Sequence, residues 1–395
     1  MSILTGKKIT VIVTGSIAAY KACEVVRLLR AKGAFVHVIL TAAAKTFVGA
    51  MTFEALSGNA VLSDDALSAL AHIELSQNQT DLILVVPATA NTLAKAACGI
   101  ADNLASATIL ARKAPLAFVP AMNSAMWSNP ATQRNVAMLK NDGAVLIGPA
   151  DGPLACGQSG TGRMVEPGVV VEAVEKILSP SFLKGKKVLV TAGPTFEAID
   201  PVRGLTNRSS GKQGYAVAKA ACEAGADVTL ITGPCALKPP YGVKTVAVES
   251  ALQMADAVQK HLPGTDAFIG VAAVADWRST QVSERKLKKS IDSVQTLQLE
   301  ENPDILKTVS ESTLRPKCVV GFAAETEQEI AYAQKKLQAK KLDIIVANNA
   351  TSTFGHDKNT AVFITADGIE RLPELNKIDL ARHLVARIAQ MMEKS

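Results

Sequence analysis

No two cysteines in this chain are spaced as CxxC. The six that occur, Cys23, Cys98, Cys156, Cys222, Cys235 and Cys318, are scattered through 395 residues. That excludes a disulfide framework and a zinc ribbon, and fits a reducing cytoplasm. No run of about 18 apolar residues is present, so no membrane span is expected. The N-terminus, MSILTGKKITVIVTG, turns to glycine after a short apolar run and lacks a signal peptide's cleavage region. Charge has little bias: the net +6 is scattered, and the basic tract Arg285 to Lys289 has no interleaved aromatics, so nucleic acid is not an expected partner. A dinucleotide fingerprint is missing as well. TGSIAAY has one glycine where G-x-G-x-x-G requires three, and the strand that should end on an acidic ribose ligand ends on Thr41 in the first half and Thr232 in the second.

What is present is globular: 48% apolar and 20% charged residues. At about 150 residues per domain the length suggests two domains. Two stretches open alike. KKITVIVTGSIAAYKACEVVRLLRAKGAFVHVILT from Lys7 and KKVLVTAGPTFEAIDPVRGLTNRSSGKQGYAVAKAACEAGADVTLITG from Lys186 each read as lysine pair, β-branched strand, glycine turn, helix of period 3.6, glycine stop and second strand. These are βαβ starts of parallel α/β domains. From lysine pair to helix-ending glycine the first takes 26 residues and the second 39, so the second carries 13 extra after its first strand. Open α/β sheets bind their ligands at that end. The alternation continues through DLILVVPATA, a helix from Asn91, APLAFVPAMN and GAVLIGP, then through DAFIGVAAVADW, KCVVGFAAET, EQEIAYAQKKLQAKK, LDIIVANN and AVFIT. Runs such as LILVV suit strands covered on both faces. The fold class is therefore α/β, with two Rossmann-like parallel-sheet domains, 1–179 and 180–395, divided near Ser179.

Small hydroxylated or glycine residues recur at strand ends in the first half: Thr14, Gly15, Ser16, Thr41, Thr89 and Ser106. They suit a phosphate or a mononucleotide. Each alone equally suits an ordinary helix cap. Three further residues look chemical. His72, in LSALAHIELS, is one of five histidines, and a lone histidine in an amphipathic segment is more often structural than catalytic. Asn123 stands in VPAMNSAMWSNP among Ala121, Met122, Met126 and Trp127, where a buried amide needs partners and the surrounding side chains offer few. Cys156 lies in the glycine-rich run DGPLACGQSGTGRM, which reads as a flap able to close over a site and deliver a proton.

GSIAAYK, AHIELS, PATANTLAK, PAMNSAMW and ACGQSGTGRM resemble the flavin-dependent cysteine decarboxylases. TAGPTFEAIDPVRGLTNRSSGKQGYA, AAVADWR and KLKK resemble phosphopantothenate-cysteine ligase. In this order, and over nearly the whole chain, the sequence resembles the bacterial bifunctional family that makes 4'-phosphopantetheine on the way to coenzyme A. The resemblance implies a flavodoxin-like flavoprotein fold in the first half, holding FMN through Gly15, Ser16, Thr41, Thr89, Asn91, Ser106 and Met122. It implies transient oxidation of a cysteine moiety by FMN, loss of CO₂, and reduction of the enethiolate with Cys156 as proton donor. Asn123 would hold the departing carboxylate, which an amide orients without a full countercharge. His72 would position substrate or assist deprotonation.

For the second half the resemblance implies a ligase fold that converts 4'-phosphopantothenate with CTP into an acyl-cytidylate, which the cysteine amine then opens with release of CMP. Lys286 would close on the phosphates, while Asn207 and Arg203 would bind the acyl intermediate. The nucleotide would meet Gly270, Val271, Ala272, Asp276, Pro303, Asp304, Ile305, Leu306, Phe322, Lys336 and Lys340, with Asp276 also meeting Mg²⁺. Lys336 and Lys340 are spaced i, i+4 and so share a helix face. Trimers of the first half and dimers of the second would give a homo-oligomer, a dodecamer in relatives. Two other readings are a non-catalytic flavin-binding regulatory protein and a prenyl-transferring flavoprotein. The first has no need of a thiol on the flap, and the second would lack PAMN and the whole second half.

Overall fold

A computed structural model describes residues 2–64, 76–77, 80–155, 157–288, 296–325, 329–349 and 358–394. His72 and Cys156 lie outside the described residues. The chain divides into two compact units, Met1–Ser179 and Pro180–Ser395.

In the first unit β1 (Lys8–Val13), β2 (Phe35–Leu40), β3 (Leu82–Ala88), β4 (Leu116–Pro120) and β5 (Val145–Leu146) form a parallel sheet of order β2-β1-β3-β4-β5. This is the flavodoxin-like order, whose switch point lies between β1 and β3. Every residue of β3 is buried, because helices cover both faces and leave no solvent side to carry polar residues. Helix Ala19–Ala31 buries Ala19, Ala22, Val25, Val26 and Leu29, an i, i+3, i+4 stripe. Lys32 ends that helix 2.6 Å from the buried Glu175 carboxylate of helix Pro167–Leu178. Ile12, Ile39, Ile83, Val85 and Phe118 meet in the core beneath helix Ala90–Ala97. After β5 an antiparallel hairpin, β6 (Ala150–Pro153) and β7 (Ser159–Arg163), returns to the end of β4, where the Met122 N–H donates to the Gly162 carbonyl at 3.0 Å.

The second unit is an eight-stranded sheet of order β12-β11-β8-β13-β16-β17-β19-β20. Its parallel strands are β8 (Lys187–Ala192), β11 (Asp227–Thr232), β12 (Lys244–Ala247), β13 (Ala267–Gly270), β16 (Cys318–Glu325) and β17 (Ile344–Asn349). The parallel alternation expected through AVFIT stops at β17: β19 (Ala361–Thr365) and β20 (Gly368–Arg371) run antiparallel. The link from Asn349 to Ala361 is too short for the helical crossover that a parallel neighbour requires. Helices Lys212–Glu223 and Lys377–Lys394 cover one face through Val217, Ala221, Leu380 and Leu384. Helices Ala251–His261, Ile305–Ser310 and Glu329–Ala339 cover the other through Met254, Val309 and Leu337. Arg382 reaches across the first pair to Glu223, at 2.9 and 3.2 Å.

Three small antiparallel pairs decorate the sheet: β9 (Phe196–Ala198) with β10 (Gly204–Thr206), β14 (Trp277–Ser279) with β15 (Leu299–Glu301), and β18 (Lys358–Asn359) with β21 (Leu375–Asn376). The first pair is the extra length after β8. It is anchored by the buried Glu197, which accepts from the Ala251 N–H at 2.9 Å. The described cysteines are free thiols, and burial pushes Cys318 up to about 12, so that it serves as a small core residue. Among the described residues no helix is long and apolar enough to cross a membrane.

Phe118 is fully buried in β4, directly before the loop that carries Asn123. Phe118→Ala should cost about 3–5 kcal/mol, read as a lowered urea midpoint for the first unit; a loss below about 1 kcal/mol would show that the sheet closes the cavity.

Candidate functional sites

A cavity of about 620 Å³ opens at the carboxyl ends of β1, β3 and β4, and Gly15, Ser16, Thr89, Met122 and Asn123 line it. Gly15 is required there, since a Cβ would stand 2.5 Å from the Ala43 Cβ. Ser16 caps the turn into helix Ala19–Ala31, accepting from the Ala18 N–H at 3.2 Å. Thr14 ties two strand ends together: its hydroxyl donates to the Pro87 carbonyl at 2.6 Å and accepts from the Thr89 N–H at 3.3 Å.

Asn123 is held at both ends of its amide. The Oδ1 atom accepts from the Ala125 N–H at 2.8 Å, capping helix Ser124–Ser128. That bond turns the Nδ2 group towards the flap hairpin, where it donates to Gln158 Oε1 at 2.9 Å. Asn123 is half-buried, and its partners are a backbone N–H and a side chain distant in sequence rather than its neighbouring thioethers and indole. Trp127 does not line the cavity; it packs against the sheet core instead.

Three expected cofactor contacts lie outside this cavity's lining. Thr41 caps helix Ala42–Lys45, accepting from the Ala44 N–H at 3.3 Å. Ser106 is buried in a capping box with Asn103, through bonds of 2.9 and 3.1 Å. Asn91 is exposed in the first turn of helix Ala90–Ala97. The Thr41 and Ser106 hydroxyls each bond a helix start, the alternative their residue types allow. Two cations at the cavity were missed. Lys21 Nζ and Arg163 Nη2 share Glu166 Oε1 at 3.1 and 2.6 Å, so two positive charges stand on one negative at the rim. Lys21 was visible as the last residue of GSIAAYK; Arg163 becomes its neighbour only through the hairpin.

A second cavity, of about 890 Å³, lies at the carboxyl ends of β8, β13 and β16 in the other unit. Gly270, Val271, Ala272 and Asp276 follow β13 along one wall, and Pro303, Asp304, Ile305 and Leu306 form another with Phe322. Leu306 fits because Gly270 and Gly321 have no side chains: Cβ atoms there would stand 3.0 and 2.8 Å from its methyls. Lys336 and Lys340 both line the cavity; Lys336 donates to the Phe322 carbonyl at 3.1 Å and Lys340 pairs with Asp304 at 2.6 Å. Burial opposes ionisation of Asp304, but the Lys340 ammonium, the Lys307 N–H and the Lys336 charge outweigh it and hold the acid below its ordinary range. Asn207 donates from Nδ2 to the Ala273 and Val274 carbonyls at 3.2 and 3.0 Å, which leaves its Oδ1 as the group it can offer.

The cavity floor also contains a turn that contiguous motif matching overlooks. Gly193 follows β8, the hairpin intervenes, and Gly211 and Gly214 then open helix Lys212–Glu223. A Cβ on Gly214 would stand 2.4 Å from the Ala192 Cβ, and Gly211 has φ +74°. The three glycines thus sit at one strand-to-helix corner, although the inserted residues split them in sequence. Arg203 and Lys286 are not among the lining residues. The Arg203 guanidinium bonds Asp200 and the Leu287 carbonyl, and Lys286 is exposed. Among the described residues no three metal-ligating side chains gather at one point.

A family model described as Flavoprotein matches residues 2–179, and one described as DNA/pantothenate metabolism flavoprotein C-terminal domain matches 183–392. The Coenzyme A biosynthesis bifunctional protein CoaBC of Vibrio vulnificus (strain CMCP6) is 44% identical over 400 residues, covering 99% of this chain and 100% of that one. This chain belongs to the CoaBC family. The CoaBC proteins of Bacillus subtilis (strain 168) and Mycobacterium bovis (strain ATCC BAA-935 / AF2122/97) are 43% and 46% identical, covering 99% and 92% of this chain and 99% and 91% of their own lengths. As a CoaBC-family member it is a bifunctional enzyme of coenzyme A biosynthesis, a flavoprotein decarboxylase in its N-terminal half and a ligase in its C-terminal half. Matches across both halves disfavour the regulatory and prenyl-transferring readings.

Gly162 seats the flap, since a Cβ there would stand 2.4 Å from the Met122 carbonyl oxygen. Gly162→Ala should lift β7 from the Asn123 loop and slow decarboxylation at least about tenfold. Amide formation by the same chain should hold its rate; unchanged decarboxylation would show that this seat is dispensable.

Proposed function

We propose that the first cavity holds FMN and 4'-phosphopantothenoylcysteine, and that the second joins 4'-phosphopantothenate to cysteine at the expense of CTP. The observation that carries the first assignment is the Asn123 amide, whose carbonyl is spent on the helix cap while its N–H₂ faces the flap. A group held that way can donate to a carboxylate but cannot accept from one. The cavity suits a mononucleotide: its volume is in the range of cofactor sites, Met122, Met126 and Leu154 supply apolar walls, and the Gly15–Ser16 turn at a helix start suits a phosphate.

When bound, FMN supplies a reversible two-electron sink, without which loss of CO₂ from a cysteine carboxylate would leave an unstabilised carbanion. The substrate carboxylate replaces Gln158 as the acceptor from Asn123, and the thioethers keep water from it, which favours departure as neutral CO₂. Lys21 and Arg163 face a phosphate at the rim. His72 and Cys156 enter on sequence grounds, the first to position substrate or take a proton, the second to return one.

In the second cavity a carboxylate oxygen of 4'-phosphopantothenate attacks the α-phosphorus of CTP and pyrophosphate leaves; the cysteine amine then attacks the acyl carbon and CMP leaves. The Gly211–Gly214 helix start and the Lys336 and Lys340 ammonium groups face the phosphates. Asn207 Oδ1 accepts from the pantothenate portion, and Lys286 and Arg203 act on the acyl phosphate. Mg²⁺ would rest mainly on triphosphate oxygens with Asp276 as its protein carboxylate, in keeping with the usual habit of that ion. The reading places a homo-oligomeric enzyme in the cytoplasm, with trimeric decarboxylase units and dimeric ligase units combining to a dodecamer.

Full-length protein given 4'-phosphopantothenate, cysteine and CTP should form 4'-phosphopantetheine and CMP, identified by mass; a product that stops at CMP without amide, or no product at all, would remove this reading. Asn123→Asp keeps the helix cap but places negative charge beside the carboxylate. Decarboxylation should fall at least about 100-fold, while amide formation continues; a normal decarboxylation rate would take Asn123 out of the carboxylate site.

A further inference from the structure

Asp200, in the turn between β9 and β10, is a carboxylate only 1% exposed. Its two oxygens have separate tasks. Oδ1 accepts from the Val202 and Arg203 N–H groups, both at 2.8 Å, which closes the turn between β9 and β10. That turn needs nothing more. Oδ2 instead accepts from Arg203 Nε at 3.0 Å, from Arg203 Nη2, and from the Leu287 N–H at 3.1 Å. Arg203 Nη2 completes the loop by donating to the Leu287 carbonyl at 2.6 Å. The Ser283 N–H adds a bond to the Ile199 carbonyl at 3.0 Å.

Both backbone groups of Leu287 are therefore held by one Asp–Arg pair. Leu287 sits between Lys286 and Lys288, both exposed, in a segment where Arg285, Lys286 and Lys288 are all cationic. Like charges would drive that segment away from Arg203. The buried carboxylate reverses the balance, because its charge-assisted bonds to Arg203 are stronger than neutral ones. Arg203, with the turn's N–H groups, holds the Asp200 acid well below the usual carboxylate range, so the anchor stays ionised.

We infer that Asp200 is a positioning residue of the ligase, fixing the Arg203 guanidinium and the backbone of Leu287 together so that Lys286 is presented from an anchored segment. The inference rests on the ligase reading given above for Lys286 and Arg203. Asp200 itself touches no reacting atom.

Asp200→Asn separates the two tasks of the carboxylate. The amide carbonyl can still close the turn, but its N–H₂ group faces three donors where Oδ2 accepted. In the full-length variant, the kcat of amide formation at saturating CTP should fall roughly 100-fold, with a much smaller change in KM for 4'-phosphopantothenate. Tryptic cleavage after Lys288 in the native protein should accelerate at least about tenfold, while decarboxylation keeps its wild-type rate. Wild-type cleavage overturns the anchor. Faster cleavage with wild-type kcat overturns its role in the reaction, and a lower kcat with wild-type cleavage does the same. If Asp200→Asn does not fold, Leu287→Pro deletes the N–H given to Asp200 while leaving the Asp200 carboxylate and Arg203 in place, and it should reproduce both changes; wild-type behaviour there overturns the proposal. Absence of amide from the wild-type chain refutes the ligase reading separately, and cleavage still decides whether Asp200 holds the segment.

Discussion

Each cavity depends on an asparagine whose amide is half consumed by backbone. Asn123 gives its carbonyl to the Ala125 N–H and is left with donors, whereas Asn207 gives its N–H₂ to the Ala273 and Val274 carbonyls and is left with an acceptor. The amide is electrically neutral and symmetric in outline, so its polarity towards a ligand is decided only by which end the fold has used. Neither can rotate to the other state without breaking a helix cap or losing the bonds to the Ala273 and Val274 carbonyls. In the proposed function the two sites would use one residue type for opposite recognition.

That arrangement requires backbone to come very close to backbone. Gly15 lies against Ala43, Gly162 against the Met122 carbonyl, and Gly214 against Ala192, each at a separation where a Cβ would collide. Parallel strands bring their carboxyl ends to one edge, and these glycines let loops settle on that edge without side chains between. The same economy gives Leu306 its place over Gly270 and Gly321. Close approach, more than any single charge, shapes the floors of both cavities.

Part of the site was legible in sequence because the strand ends announce themselves. VPAMN, GVAAVAD, NPDIL and the lysines of AYAQKKLQAKK mark residues that line the two cavities. Thr41 and Ser106 were legible only as hydroxyls; that each bonds the start of a helix appears only once those helices are placed. The glycine turn of the second cavity was hidden because a hairpin separates Gly193 from Gly211. Arg163 reads as the end of a flap; the return of β7 is what brings it and Glu166 to Lys21.

The sequence by itself determined the α/β class, the two repeated openings, the family and the residue types at the strand ends, because periodicity and motif spacing are local. Only the tertiary structure decided strand order, the antiparallel β19 and β20, which end of each asparagine faces its cavity, and the joining of Asp200 to Leu287 across 87 residues. Those features depend on contacts between distant segments, and distance along the chain carries no signal of distance in space.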